Sequence, residues 1–325
     1  MAEPSPRRWI GPTVKLALSL AMVAAVLAIA DLAAVGAAIT AIGAGSLALA
    51  VLLCFSQIMI SGLRWYVVGA GTGGFIGPWQ TLRAMFAAMF CNQLLPTSIG
   101  GDLVRVGLLT RHGLTVGRAA RTVILDRTAG LLSLLTLMAV TGIVFSNQLP
   151  EDWPVALIRA VPLVAIAVVL AGLFLGDRLA GALEARGRLA WVAGLLRDSS
   201  QLLRQGHRTA VILLLSYAIH GASAGAVWVL ATGSGLGIGY AEVLGFLPIV
   251  ILAQLLPISI AGWGVREGTV VTLFALLGIG AAPAAAVSIL WGGAIAAGAL
   301  LAGIIWALTR RSGERLPGRD PSQAP

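Results

Sequence analysis

The stretch "QLLPTSIGGDLVR", residues 93–105, interrupts a chain built largely of Ala, Leu, Val, Ile and Gly. Nearly the same string returns as "QLLPISIAGWGVR" at 254–266, and the two agree at 9 of 13 positions without a gap. A shared apolar tripeptide would mean little in this composition, but Gln, Pro, Ser and Arg held in register point to a duplication. Proline removes an N–H donor and clashes with the preceding helical turn. Glycine lets the chain turn and come close to a ligand. Each copy therefore reads as a break between two short helical arms.

What surrounds the two breaks sets the class. The chain is 58% hydrophobic and 11% charged, with a mean hydropathy of +0.94, whereas a soluble domain carries about 25% charged residues. Apolar runs at about 14–35, 43–66, 119–145, 155–176, 209–231 and 283–308 approach or exceed the roughly 18 to 20 residues that cross a bilayer. The expectation is an all-α polytopic membrane protein. Lys15 is the single lysine and the other basic residues are arginines. The +9 net charge lies in short loops beside apolar runs, which fits membrane orientation and not nucleic-acid binding. Cys54 and Cys91 lack metal-ligand spacing and read as small buried hydrophobes. The N-terminal segment reads as an uncleaved first span in preference to a signal peptide.

Residues 80–112 and 241–280 do not fit as ordinary spans. A 13-residue arm reaches only about 20 Å of a core about 30 Å thick. Threading 84–96 as a full crossing would place Arg105, Arg111, Arg118, Arg121 and the arginine-rich 177–208 loop outside, against the positive-inside rule. Hairpins that enter and leave on one side avoid this. The membrane then holds Arg105, Arg127 and Arg266, only Arg159 is outside, and every other basic residue is cytoplasmic.

The sequence thus predicts six spanning helices plus two re-entrant helical hairpins, eight apolar segments in all, in two repeats at about 14–145 and 155–308. Three crossings per half make the second repeat inverted, a layout common among transporters. A cytoplasmic tail of 1–13, a membrane domain of 14–308 and a basic cytoplasmic tail of 309–325 complete the expected organisation, with both termini inside. Within the 177–208 loop, Val192, Leu195, Leu196, Ser199, Leu202 and Leu203 fall at helical spacing opposite Arg197, Asp198, Gln201 and Arg204. That suits a short interfacial helix, or an ordinary solvated connector.

Non-helical backbone at membrane depth must be covered by protein or line a water-filled cavity. The outgoing arms begin with free N–H groups and a positive helix end that favours anions. Arg105 and Arg266 sit about one turn into them and suit a phosphate. Alternatively Asp102 pairs with Arg105, and Glu267 neutralises Arg266, as packing devices. Asn92, Gln93, Ser98, Gln254 and Ser259 are candidate headgroup contacts or caps for broken backbone. Asp126 and Arg127 are candidates for gating, for pairing with the first hairpin, or for snorkelling. Arg64 reads as an interfacial anchor or a headgroup guide, His220 as a proton relay or an interhelical hydrogen bond, and most tryptophans as interface anchors.

"NQLLPTSIGGDLVR" (92–105), "LDR" (125–127) and "GWGVREG" (262–268) resemble signatures of the flippase-like family, which includes the transmembrane region of lysylphosphatidylglycerol synthase. The resemblance covers about 14–308. It implies a multi-pass inner-membrane protein that moves a lipid or lipid-linked headgroup. Its motif positions fall on Asn92, Gln93, Pro96, Gly100, Gly101, Asp102, Arg105, Asp126, Arg127, Pro257, Gly262, Gly264, Arg266 and Glu267. Ala261 stands where the family often has a glycine, and Leu290-Trp291-Gly292 where an arginine-bearing counterpart of 125–127 is common.

The function expected is a flippase for a phospholipid or polyprenyl-phosphate-linked lipid, with the phosphate held at two facing hairpins. The alternatives are a membrane enzyme or enzyme subunit in lipid modification or lipid-linked sugar synthesis, and a non-transporting scaffold among envelope-lipid biosynthesis enzymes. Neither a cofactor nor a metal is expected, because no Asp-x-Asp or similar carboxylate cluster occurs. In fused members of the family, aminoacyl transfer belongs to a separate soluble domain, so that reaction is not expected of this sequence.

Overall fold

The computed structural model describes residues 17, 20–29, 31–73, 77–94, 100–144, 155–184, 189–255, 259 and 262–309, and the regular structure among them is helical. The first apolar segment differs from the straight span expected at 14–35. It forms α1 (Leu20–Ile29) and α2 (Leu32–Ala41), bent by 87°. Asp31 causes a clean restart: its carboxylate accepts from the Ala33 N–H at 3.0 Å while its own backbone takes φ 59°. A side-chain cap of this kind opens a new helix instead of continuing the old one.

α3 (Ala44–Thr72) follows, then the two arms of the first break, α4 (Pro78–Leu94) and α5 (Gly100–Arg111), and then α6 (Val116–Val144). The second half runs through α7 (Val155–Phe174), α8 (Gly176–Glu184), α9 (Ala190–Arg204), α10 (Gly206–Gly233), α11 (Tyr240–Gln254), α12 (Val265–Ala275) and α13 (Ala281–Leu308). Among the described residues, four helices (α3, α6, α10 and α13) are long and apolar enough to cross a membrane, or five spans if the bent α1–α2 pair counts as one. The apolar stretch of α7, Arg159–Gly172, is shorter, as is α11. Leu52, Leu63, Leu214, Leu300 and Ile304 on the long helices point outward, as side chains do where lipid is the solvent.

The helices pack in matched pairs. α3 lies against α10; α4 touches α3 and α13, while α11 touches α10 and α6; α5 lies on α6, and α12 on α13. α2 packs on α13 and α7 on α6. Each incoming arm therefore touches a long helix of its own half and the last long helix of the other. Two apolar clusters result. One sets Trp65, Phe86, Leu109 and Val123 around α4 and α5. The other sets Leu230, Leu247, Phe274 and Trp291 around α11 and α12.

The 177–208 segment is helical in two pieces, α8 and α9. α9 buries Ala193, Ser199, Ser200 and Leu202 against α3, α6, α7 and α10. Asp198 belongs to neither an outward nor a solvated face: it pairs with Arg121 of α6 at 2.7 Å. Gln205 donates to the Gly71 carbonyl at 2.9 Å, so the segment is fastened at both its middle and its end.

Candidate functional site

At the first break the chain turns back on itself. The Gly101 N–H donates to Asn92 Oδ1 at 2.6 Å, and a Cβ on Gly101 would lie 2.6 Å from the Ala88 carbonyl oxygen. α5 thus starts beside the last turns of α4 instead of in line with it, and only glycine allows that approach. At the second break Gly262 and Gly264 take φ 79° and 88°, a left-handed region that glycine enters without strain. A Cβ on Gly262 would lie 2.7 Å from Gln254 Oε1, so here too the new arm begins beside the old one.

Arg105 is 3% exposed and Asp126 2%. Arg105 donates to Asp126 Oδ2 at 2.7 Å, and Arg64 donates to Asp126 Oδ1 at 2.8 Å. One carboxylate on α6 therefore joins α3 and α5. Arg64 also donates to Ser216 on α10 at 3.1 Å, and the Arg105 guanidinium sits 4.1 Å from the Trp65 ring centroid. Asp102 approaches Arg105 at 3.5 Å and also pairs with Arg127. Arg127 keeps a 45% exposed side chain, so it both pairs with the first break and reaches outward.

Arg266 is satisfied on its own helix. It donates to Glu267 Oε1 at 2.6 and 3.0 Å, and Glu267 Oε2 accepts from the Gly264 N–H at 2.6 Å. Arg266 is 2% exposed and Glu267 0%. The guanidinium lies 4.5 Å from the Trp263 ring centroid and 5.7 Å from that of Trp291. Gly292 makes the room: a Cβ there would fall 2.0 Å from a guanidinium nitrogen. Trp291 and Gly292, part of the triplet that departs from the arginine-bearing pattern, form the wall against which Arg266 rests.

A cavity of about 390 Å³ lies between the halves. The ends of both incoming arms line it, with Asn92 and Gln93 from α4, Gln254 from α11 and Leu255 just after it. Gln93 and Gln254 are the matched first positions of the repeated string. α3 contributes Gln57, α10 contributes His220 and Ser223, and α13 contributes Trp291. The Ser223 hydroxyl donates to Gln57 Oε1 at 2.6 Å. His220 Nε2 lies 3.1 Å from Ser133 Oγ and 3.2 Å from the Gly130 carbonyl, which is an interhelical hydrogen bond. Neither Arg105 nor Arg266 is among the lining residues.

Of the remaining sequence candidates, Gly100 opens α5, and Ser259 is half-buried with a hydroxyl that meets no partner among the described residues. Pro96, Ser98 and Pro257 lie outside the described residues. Two expectations change. Arg64 is no interfacial anchor, because α3 continues to Thr72 and the guanidinium is buried against Asp126. Trp65, Trp263 and Trp291 serve arginines, not the membrane interface. Sequence reading passed over Gln57 and Ser216, neutral residues in apolar runs that only their spacing across helices marks. It met Gly292 only as part of a departure from the family pattern.

Residues 13–303 match the family described as "Lysylphosphatidylglycerol synthase TM region". Among curated proteins none matches the chain. The chain belongs to that family, and it is a multi-pass membrane protein.

Proposed function

We propose that this protein carries the headgroup of a phospholipid or polyprenyl-phosphate-linked lipid across the inner membrane, through the cavity between α4 and α11. The observation that carries the reading is that both copies of one sequence repeat send their pre-break glutamine, Gln93 and Gln254, to the same cavity. The reciprocal packing of the halves supports an inverted pair of three-crossing units with two re-entrant hairpins and both termini cytoplasmic. Inverted repeats whose helices break at a shared site are the usual frame for alternating access. Arg105 and Arg266 stand one turn beyond the breaks, where opening of either half would present a guanidinium to the phosphate.

The test reconstitutes the purified protein in vesicles with acyl-labelled phospholipids and a labelled polyprenyl phosphate. Label accessibility to a membrane-impermeant quencher is then followed. Protein-dependent movement of at least one lipid is expected; movement no faster than in protein-free vesicles removes the reading. The family's description names a synthase, which favours a second reading as the membrane part of a lipid-modifying assembly of envelope-lipid enzymes. Turnover of an activated aminoacyl or sugar donor by the protein or a co-purifying partner would select it.

A further inference from the structure

Among the described residues, the buried charges and the cavity lining are separate sets of side chains. Asp126, with Asp102 beside it, sets two carboxylates against Arg64 and Arg105 across α3, α5 and α6, and Glu267 neutralises Arg266 on α12. The cavity, by contrast, shows no aspartate, glutamate, lysine or arginine among its described lining residues. The sequence of the two breaks, 95–99 and 256–261, contains none either. The lining is largely apolar, with Ile58, Met89, Ile251 and Trp291 among it. The polar groups set into it both donate and accept: the amides of Gln57, Asn92, Gln93 and Gln254, the Ser61 and Ser223 hydroxyls and the His220 imidazole.

Such a lining discriminates by its chemistry. A phosphate or ammonium drawn into a membrane-buried space with no counter-charge loses its hydration at a cost of several kcal/mol per ion. A hydroxyl is itself both donor and acceptor and exchanges water for an amide at little cost. Several of these amides are poised for that exchange. Gln93 has no hydrogen-bond partner among the described residues. Asn92 uses its carbonyl on Gly101, leaving its NH₂ group as a donor. Gln254 uses its NH₂ group on the Val250 carbonyl at 3.2 Å, and its oxygen, which lies beside Gly262, accepts from no described residue. At about 390 Å³ the space falls in the range of about 300–1,000 Å³ typical of small-molecule sites.

We infer that the cavity is a binding site for an uncharged, hydroxyl-rich headgroup, a glycosyl unit carried on a lipid, held by Gln93 and Gln254 from the two repeats with Gln57 and Asn92 beside them. The inference deepens the transport reading and rests on it for treating the cavity as the headgroup's route. Any phosphate of the lipid lies outside this amide-lined space. The glycosyl unit has two lipid sources, a diacylglycerol and a polyprenyl phosphate, and the test separates them.

Full-length protein in detergent is titrated with short-chain glucosyl-diacylglycerol, farnesyl-phosphoryl-glucose, phosphatidic acid and phosphatidylethanolamine, with binding read by native mass spectrometry. At least one glucosyl lipid binds about tenfold or more tighter than phosphatidic acid and phosphatidylethanolamine, since a site built to bond hydroxyls rejects ligands lacking them. The better of the two glucosyl lipids identifies the carrier. Gln93→Leu with Gln254→Leu weakens glucosyl-lipid binding about tenfold and leaves phosphatidic acid unchanged, whereas Gln93→Asn retains most of the affinity. If the double variant does not fold, Gln93→Leu alone serves, because that amide holds no other group among the described residues.

Phosphatidic acid binding as tightly as both glucosyl lipids overturns the inference. So does a folded Gln93→Leu protein with unchanged glucosyl-lipid affinity. The same lipids, acyl-labelled in vesicles, keep the two readings distinguishable. Tight glucosyl-lipid binding without movement of any lipid removes transport and leaves the site standing. Equal movement of all four headgroups leaves transport standing and removes the site.

Discussion

The two breaks descend from one string, yet they settle their buried arginine in opposite ways. In the first half, Arg105 finds its carboxylate 21 residues away on another helix, and that carboxylate is shared with Arg64. In the second half, Arg266 uses the very next residue, Glu267, and leans on Trp291 and the bare face of Gly292. The first arrangement ties α3, α5, α6 and, through Ser216, α10 together; the second is closed within α12 and needs α13 only for shape. Neutralising a buried charge is thus a separate problem from connecting helices, and this molecule solves both at once in only one of its halves.

The largest expected effect comes from Asp126→Asn, which takes the nearest carboxylate from two guanidinium groups and leaves Arg105 with Asp102 at 3.5 Å and Arg64 with Ser216. A loss of about 3–5 kcal/mol is expected, the usual cost of leaving a buried charge without its partner. Measured by reversible unfolding in detergent, it should exceed the loss in Glu267→Gln, which strands only Arg266. A smaller loss in Asp126→Asn than in Glu267→Gln would break the comparison.

Shape is the next probe. In Gly292→Ala the new methyl would enter the space of the Arg266 guanidinium, which is boxed by two indoles and Glu267; about 1–3 kcal/mol is expected, as for overpacking elsewhere. Gly130→Ala, whose Cβ would stand 3.1 Å from an Arg64 nitrogen, should cost less, because contact there is tight without overlap. Melting temperatures in the same order for the two variants sharpen the assignment of a shape-dependent site to the second half. The reverse order dissolves it.

The smallest effect is expected of Asp102→Asn. Its partner Arg127 is half-exposed and its contact with Arg105 is long at 3.5 Å, so the loss should stay within about 0–1 kcal/mol. A loss as large as that of Asp126→Asn would extend the cross-helix network to the membrane surface.

Much of this was legible in the chain. Pro96 and Pro257 beside their glycines located both breaks, and i, i+3 spacing anticipated the contact of Asp102 with Arg105. Adjacency anticipated Glu267 on Arg266, and Asp126-Arg127 was correctly open to pairing with the first break. Arg64 misled because the apolar run thins at 64–66, although α3 continues through the glycine-rich "VVGAGT" to Thr72. In an apolar surround a glycine-rich turn stays helical where water would unravel it. Trp65 misled because a tryptophan near the end of an apolar run looks the same whether it meets lipid headgroups or a guanidinium. The bend at Asp31 carried a local signal, an aspartate N-cap inside an apolar run that reads as one span. The cavity-facing role of Gln57, by contrast, depends on neighbours from other helices.

The shared carboxylate of Asp126 also bears on how the protein comes to be in a membrane. Arg64, Arg105 and Asp126 arrive on three separate stretches of chain, and each ionised group near the middle of an inserting helix costs up to about 2.5–3.5 kcal/mol until it is matched. α3 must therefore wait in the lipid, or at its edge, for a partner synthesised 62 residues later. Arg266 and Glu267 leave the ribosome side by side and enter as a neutral unit. The first half is the one whose insertion has to be cooperative.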